Sequence, residues 1–312
     1  MTTEPIFWIL FLLFMAAMLG LDLGIFNKKS QDVSFKKSLL WTTVWIGLAM
    51  IFNLIVYQWK GPDKAIEFLT GYLIELSLSV DNLFVFILIF GYFHVPTKYQ
   101  HKILFWGIIG ALIFRAIFIF AGVALLNQFH WMIYLFGGIL IISGIKMLFQ
   151  SDKKLEPEKN PILNLFKRFF PVADHNEGSK FFLKQQGKWF ATPLFLVLIL
   201  VETTDIIFAV DSVPAILAIT TDTFIVFTSN AFAILGLRSL FFSLAGIIKI
   251  FRFLHYGLAS ILIFIGLKMT LADVYKIPIM YALIAVLSIL LISVIASLLI
   301  PANNNKASTP NA

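Results

Sequence analysis

The chain has 312 residues, 60% of them hydrophobic and only 13% charged, with a mean hydropathy of +0.91 and a net charge of +7. Soluble domains carry about 25% charged residues, so this composition excludes an ordinary soluble fold, and the absence of cysteine excludes disulfides, thiolate metal sites and thiol nucleophiles. The basic excess fits loops that flank membrane spans better than a nucleic-acid surface, so no nucleic-acid partner is expected.

The apolar residues fall in runs near the length that crosses a bilayer core of about 30 Å. None shows the short alternating strands of a membrane barrel. Nine spans are expected, at about 5–26, 38–58, 65–92, 102–126, 131–149, 192–219, 223–245, 250–272 and 277–300. The first begins near Pro5 without a basic flank and runs past Asp22, so it reads as a retained helix rather than a cleaved signal. The fold class is therefore an all-α polytopic membrane protein, one membrane domain over 1–312. Within it, 1–64 holds helices 1 and 2, 65–149 helices 3 to 5, 192–272 helices 6 to 8, and 273–300 helix 9. The connection at 150–191 is long, polar and rich in lysine, and 301–312 reads as a disordered tail.

Basic residues set the expected orientation. Outside the linker, Lys28, Lys29, Lys36, Lys37, Lys98, Lys102, Lys249, Arg252 and Lys306 collect on one side, against Lys60, Lys64 and Lys276 on the other. Cytoplasmic loops hold the excess of lysine and arginine. The chain is thus expected in a bacterial inner membrane with its N-terminus outside, its C-terminus in the cytoplasm and the 150–191 linker cytoplasmic.

Two of the spans carry matching acids. Helix 3 reads Glu75-Leu-Ser-Leu-Ser-Val-Asp81-Asn82, and helix 6 reads Glu202-Thr-Thr-Asp205-Ile-Ile-Phe-Ala-Val-Asp211-Ser212-Val-Pro214. Aligning Asp81 with Asp211 sets Glu75 opposite Asp205. The next helices carry Arg115 and Arg238, and the ones after those carry Gly144-Ile-Lys146-Met147 and Gly266-Leu-Lys268-Met269. Helices 3 to 5 thus resemble helices 6 to 8, and an odd number of spans per copy would make this an inverted three-helix repeat, a recurring transporter plan.

Carboxylates inside membrane-length apolar runs are costly and mark function by default. Oxygen-rich clusters suit hard divalent cations. The candidate metal ligands are Glu75, Asp81, Asn82, Glu202, Asp205 and Asp211, with Ser212, Pro214, Arg115, Arg238 and Asp22 in support. Pro214 lacks a backbone N–H and crowds the carbonyl of Val210, so a kink that frees a carbonyl beside Asp211 is expected. A plainer reading is a kink over acids that line a wet cavity. The two arginines must be compensated, either by the acids or by bracing loops. Asp22 reads as a ligand, a gate or an interfacial charge. The five histidines, His94, His101, His130, His175 and His255, fall at span ends or in loops without metal-ligand spacing and read as interfacial.

These motifs resemble the TerC family of integral membrane proteins. The likeness rests on Leu21-Asp22-Leu-Gly24-Ile-Phe26, on the two acidic motifs, on Arg238-Ser-Leu-Phe and on Gly266-Leu-Lys268-Met269, and it extends over helices 1 to 9. The family is named for tellurium resistance and is similar in plan to LysE-type exporters. The resemblance implies efflux of metal ions, with manganese(II) as the transported substrate. No resident cofactor is expected. A non-transporting membrane partner that supplies metal to exported proteins would share the same site. An intramembrane aspartyl protease would need a dyad sharing a proton, and no Gly-x-Gly-Asp motif occurs, so no catalytic residues are expected and the chain reads as a non-enzyme. Lipid and the metal ion are the expected partners, with a membrane-protein partner or a homo-oligomer open.

Overall fold

The computed structural model describes residues 4–26, 35–149, 160–173, 178–185, 187–245 and 253–300; the side chains of 4, 22–26 and 161 lie outside that description. The expected tail at 301–312 also lies outside it. In chain order the helices are α1 (Glu4–Phe26), α2 (Phe35–Lys60), α3 (Pro62–Tyr92), α4 (Thr97–Gln128), α5 (Met132–Phe149) and α6 (Pro161–Phe169). After the hairpin of β1 (Phe182–Gln185) and β2 (Lys188–Ala191) come α7 (Pro193–Leu217), α8 (Thr223–Leu235), α9 (Leu237–Leu244), α10 (Leu254–Thr270) and α11 (Ile279–Leu299).

Among the described residues, seven helical stretches are long and apolar enough to cross a membrane: α2, α3, α4, α5, α7, the joined α8–α9 and α11. Two of the nine expected spans contain shorter apolar helices, Pro5–Leu21 and Leu254–Thr270. The chain is thus a polytopic helical membrane protein. Three expectations are refined. The seventh run is interrupted at Gly236, between α8 and α9. The strictly all-α class gives way to one antiparallel hairpin, Phe182 pairing with Ala191 and Gln185 with Lys188. Finally, the polar linker contains folded elements.

Local chemistry explains the helix starts. Gly61 takes φ +90 between α2 and α3, and Pro62 fills the first helical position, where a missing N–H costs nothing. Asp222 accepts from the amides of Phe224 at 3.1 Å and Ile225 at 3.3 Å, capping α8, and also takes Lys60 Nζ at 2.8 Å, which ties α2 to α8. From Phe224 to Leu235 every residue of α8 is buried, as a helix apolar on all sides should be. Around it, α3 packs on α8 and α4 packs on α7.

Helices α5 and α10 approach closely through glycines. A Cβ on Gly266 would stand 2.7 Å from the Gly137 carbonyl oxygen, and one on Gly144 would stand 2.7 Å from that of Ala259. Small residues let membrane helices meet backbone to backbone. Gly266→Ala is expected to cost about 1–3 kcal/mol by forcing the pair apart. Gly138→Ala, which meets open space, should cost almost nothing. Thermal unfolding of both variants in detergent checks this, and equal midpoints would refute the close approach.

At one end of the bundle, His130 Nε2 lies 2.8 Å from Asp273 Oδ2, and the Tyr134 hydroxyl donates to the same oxygen at 2.7 Å. Donation from Tyr134 and then His130 holds the Asp273 carboxyl below its usual range. A depressed folded-state pKa stabilises above the unfolded value and is lost as pH falls through the folded one. The melting difference between the wild type and Asp273→Asn should therefore stay constant between about pH 7 and 5 and fade only below about pH 4. A difference that fades by pH 5 would contradict the tie.

Candidate functional site

The site is built where α3, α4, α7 and α8 meet. Glu75, Arg115 and Asp205 are 1%, 1% and 4% exposed, so all three charges are withdrawn from solvent. Arg115, on α4, reaches across to α7 with two parallel bonds, Nε to Asp205 Oδ2 at 3.3 Å and Nη2 to Asp205 Oδ1 at 3.1 Å. Its Nη1 donates to Glu75 Oε1 on α3 and to Ser212 Oγ at 3.0 Å. Asn230 Nδ2, on the buried helix α8, donates to the other Glu75 oxygen at 2.9 Å.

The physical reason for this convergence is cost. A guanidinium does not readily discharge, and inside a membrane it needs acceptors on each of its edges. The planar fork matches a carboxylate bidentately, which fixes geometry as well as charge. One cation here faces two carboxylates. With both ionised, the trio carries a net negative charge, so a proton or a further cation would complete it.

The other predicted residues occupy distinct settings. Glu202 lies one helical turn before Asp205, and its carboxylate rests directly over Gly110 of α4, where any Cβ would overlap it. Its Oε2 is buried without a hydrogen-bond partner, as is Oδ1 of Asn82. Asp211 accepts from Ser143 Oγ of α5 at 2.6 Å. Asp81 Oδ1 lies 3.8 Å from His255 Nδ1 of α10, and His255 Nε2 lies 2.5 Å from the Met147 carbonyl. Arg238 is buried and borders the same small internal cavity as Asp205. Pro214 stands inside α7, which continues past it to Leu217 rather than ending there. Asp22 falls within α1, with its side chain outside the described residues.

The structure therefore brings Glu75, Asp205, Arg115 and Ser212 together and leaves Asp81 and Asp211 with partners of their own. Among the described residues, no group of three or more His, Asp or Glu side chains stands in position to hold one metal ion. The partnerless oxygens of Glu202 and Asn82 are the donors the site leaves unused, and both are hard ligands suited to a divalent cation or a proton.

Sequence reasoning gave no role to three contributors and read a fourth, His255, as interfacial. Asn230, Ser143 and Gly110 are single residues in apolar helices, and His255 sits at a span end. A buried amide in an otherwise apolar helix was the one available signal, at Asn230. The others depend on neighbours far along the chain, such as His255 and Asp81. Lys268, from the repeated Gly-x-Lys-Met motif, donates to the Ala218 carbonyl at 2.8 Å, at the C-terminal cap of α7.

Comparison with known proteins places this geometry in a family. A family model described as the integral membrane protein TerC family matches residues 60–306, which include every residue of the buried cluster. An uncharacterized membrane protein of Myxococcus xanthus, STKORF319, is 50% identical over 296 residues, covering 95% of this chain and 93% of its own. A candidate membrane-bound redox modulator named Alx, from Photorhabdus laumondii, is 44% identical over 301 residues, covering 94% of each chain. Its namesake in Escherichia coli K12 is 43% identical over 300 residues, covering 93% of this chain and 94% of its own. No solved structure matches. With both acidic motifs and both arginines inside the matched region, this chain belongs to the TerC family of integral membrane proteins.

Proposed function

We propose that this protein exports divalent metal ions, with manganese(II) as its substrate, across a bacterial inner membrane. The observation that carries the reading is the buried, oxygen-rich cluster in membrane-length helices. Glu75 and Asp205 share Arg115, while Glu202 Oε2 and Asn82 Oδ1 lack partners. Buried acceptors left without donors are costly, and a transient cation would relieve that cost. With oxygen donors in the buried cluster and no cysteine in the chain, the chemistry favours a hard ion over a soft one.

The alternating-access plan is proposed to be an inverted repeat of helices 3–5 and 6–8, here α3–α5 and α7–α10, with the N-terminus outside. Two features support it. Glu75 and Asp205, equivalent in the two motifs, meet on one arginine. Gly137 approaches Gly266 while Gly144 approaches Ala259, and these are equivalent pairs under the same alignment. Mutual contacts of that kind are what a twofold relation produces. Export against a gradient needs energy, and carboxylates that trade a metal ion for protons would supply it.

The test is flux in proteoliposomes. Manganese(II) movement is expected to exceed that of calcium or magnesium and to rise when a pH difference is imposed. Absence of flux for every divalent cation would overturn transport. Flux indifferent to the pH difference would overturn proton exchange alone. A second reading draws on the relatives named as redox modulators. A chain without cysteine has no thiol with which to pass electrons, so such a role would be that of a membrane partner acting through metal supply. The same flux measurement separates the two readings.

A further inference from the structure

The linker holds a surface that the transport reading does not use. Helix α6 has nine residues, too short to span a bilayer. Around its circumference, at 3.6 residues per turn, Leu163, Phe166 and Phe170 fall on one side and Ile162, Leu165 and Phe169 on the adjoining side. Of the first group, Leu163 and Phe166 pack inward, while Phe170, 49% exposed, stacks on Phe166 at 5.0 Å. Leu163 is buried, and Phe166 lies 5.4 Å from Phe195 in the first turn of α7. The second group is open: Leu165 is 56% exposed and Phe169 71%. The hairpin beside it adds Trp189, 62% exposed, and is held by Phe182 at 4.4 Å from the same Phe195.

Position makes this apolar face meaningful. The chain runs from Ala191 through the cap Thr192 straight into the membrane-length helix α7. A segment pinned to the first turn of that helix lies at the level of the membrane surface. Lys102 of α4 pins it further by donating to the Ser179 carbonyl, with its ammonium 4.2 Å over the Phe181 ring. Charge then points to the occupant. Segment 160–192 carries Lys167, Arg168, Lys180, Lys184 and Lys188 against Asp174 and Glu177, a basic excess of three. Apolar and aromatic side chains flanked by lysine and arginine match the boundary between acyl chains and anionic headgroups.

We propose that α6 and the β1–β2 hairpin form an interfacial element that docks on anionic lipid headgroups, with Leu165, Phe169 and Trp189 inserted at the acyl boundary. This does not rest on metal transport and would hold for a non-transporting protein of the same fold. The chain has no cysteine, so Phe169→Cys in the full chain gives one nitroxide attachment point. The labelled protein is placed in nanodiscs of phosphatidylcholine alone and of phosphatidylcholine with phosphatidylglycerol. Collision with oxygen reports the acyl region and collision with a nickel chelate reports water. The expected result is a several-fold preference for oxygen over nickel in the anionic discs, smaller in the neutral ones. The combined Lys167→Gln, Arg168→Gln, Lys184→Gln and Lys188→Gln changes should abolish that lipid dependence. A label at Trp189→Cys should give the same pattern, so that one misfolded variant does not decide the matter. A label equally open to nickel in both discs would overturn the proposal. So would oxygen preference independent of lipid charge, or shielding from both reagents with spin–spin broadening, the mark of a second copy on this face.

Discussion

Arg115→Met should destabilise the folded protein by about 3–5 kcal/mol, the usual consequence of removing one partner from a buried charge pair. The arginine is 1% exposed, and it alone stands between Glu75 and Asp205. Without it, two carboxylates face each other across α3 and α7 with Asn230 and Ser212 as their remaining neutral neighbours. In hydrocarbon surroundings neither has water to turn to. A buried ion network replaced as a whole by neutral groups of similar volume is often tolerated. Arg115→Met combined with Glu75→Gln and Asp205→Asn should thus recover most of the stability lost by the single change, while remaining inactive. Unfolding in detergent, followed by the yield of monodisperse protein, reads both variants. A single variant as stable as the wild type would mean that the cluster is not the bracing element of the bundle.

The second large effect is expected at Glu202. Glu202→Gln removes the charge and keeps the shape, and Gly110→Ala keeps the charge but drives the carboxylate from its seat on α4. Both should slow manganese(II) flux by at least about tenfold, equivalent to about 1.4 kcal/mol of barrier. Neither should unfold the protein. The Glu202 oxygen has no hydrogen-bond partner to lose, and the carboxylate is the far end of a flexible side chain that can rotate aside. Agreement between the two variants is the informative result, since one acts on charge and the other on position alone. If both transport normally, Glu202 lies off the ion path and the cluster around Arg115 must be reassigned a purely structural role.

Much of this was legible along the chain. Membrane-length apolar runs located the helices, because a backbone in hydrocarbon must satisfy its hydrogen bonds within the helix and the length of that helix follows from bilayer thickness. Acids and arginines inside those runs announced a buried polar site, because nothing else repays their cost. The alignment of the two acidic motifs paired Glu75 with Asp205, and the structure joins them through Arg115. The local signals at α6 were also present, in Asn160 accepting from the amides of Ile162 and Leu163 and in Pro161 behind it. They were outweighed by the polarity of the linker around them.

What the sequence by itself determined was which side chains must be buried and that they must find partners. Only the tertiary structure decided which partners those are. One arginine serves two acids instead of each acid taking its own. Asn230 completes Glu75 from a position 155 residues away, Ser143 reaches Asp211, and His255 stands beside Asp81. Glu202 rests on a glycine of another helix. These choices depend on how ridges and small residues let the helices approach, a property of pairs of surfaces. No periodicity within one helix carries it, because the apolar faces that set the crossings look alike in sequence while the polar atoms they bring together lie up to 201 residues apart, as at Thr42 and Ser243.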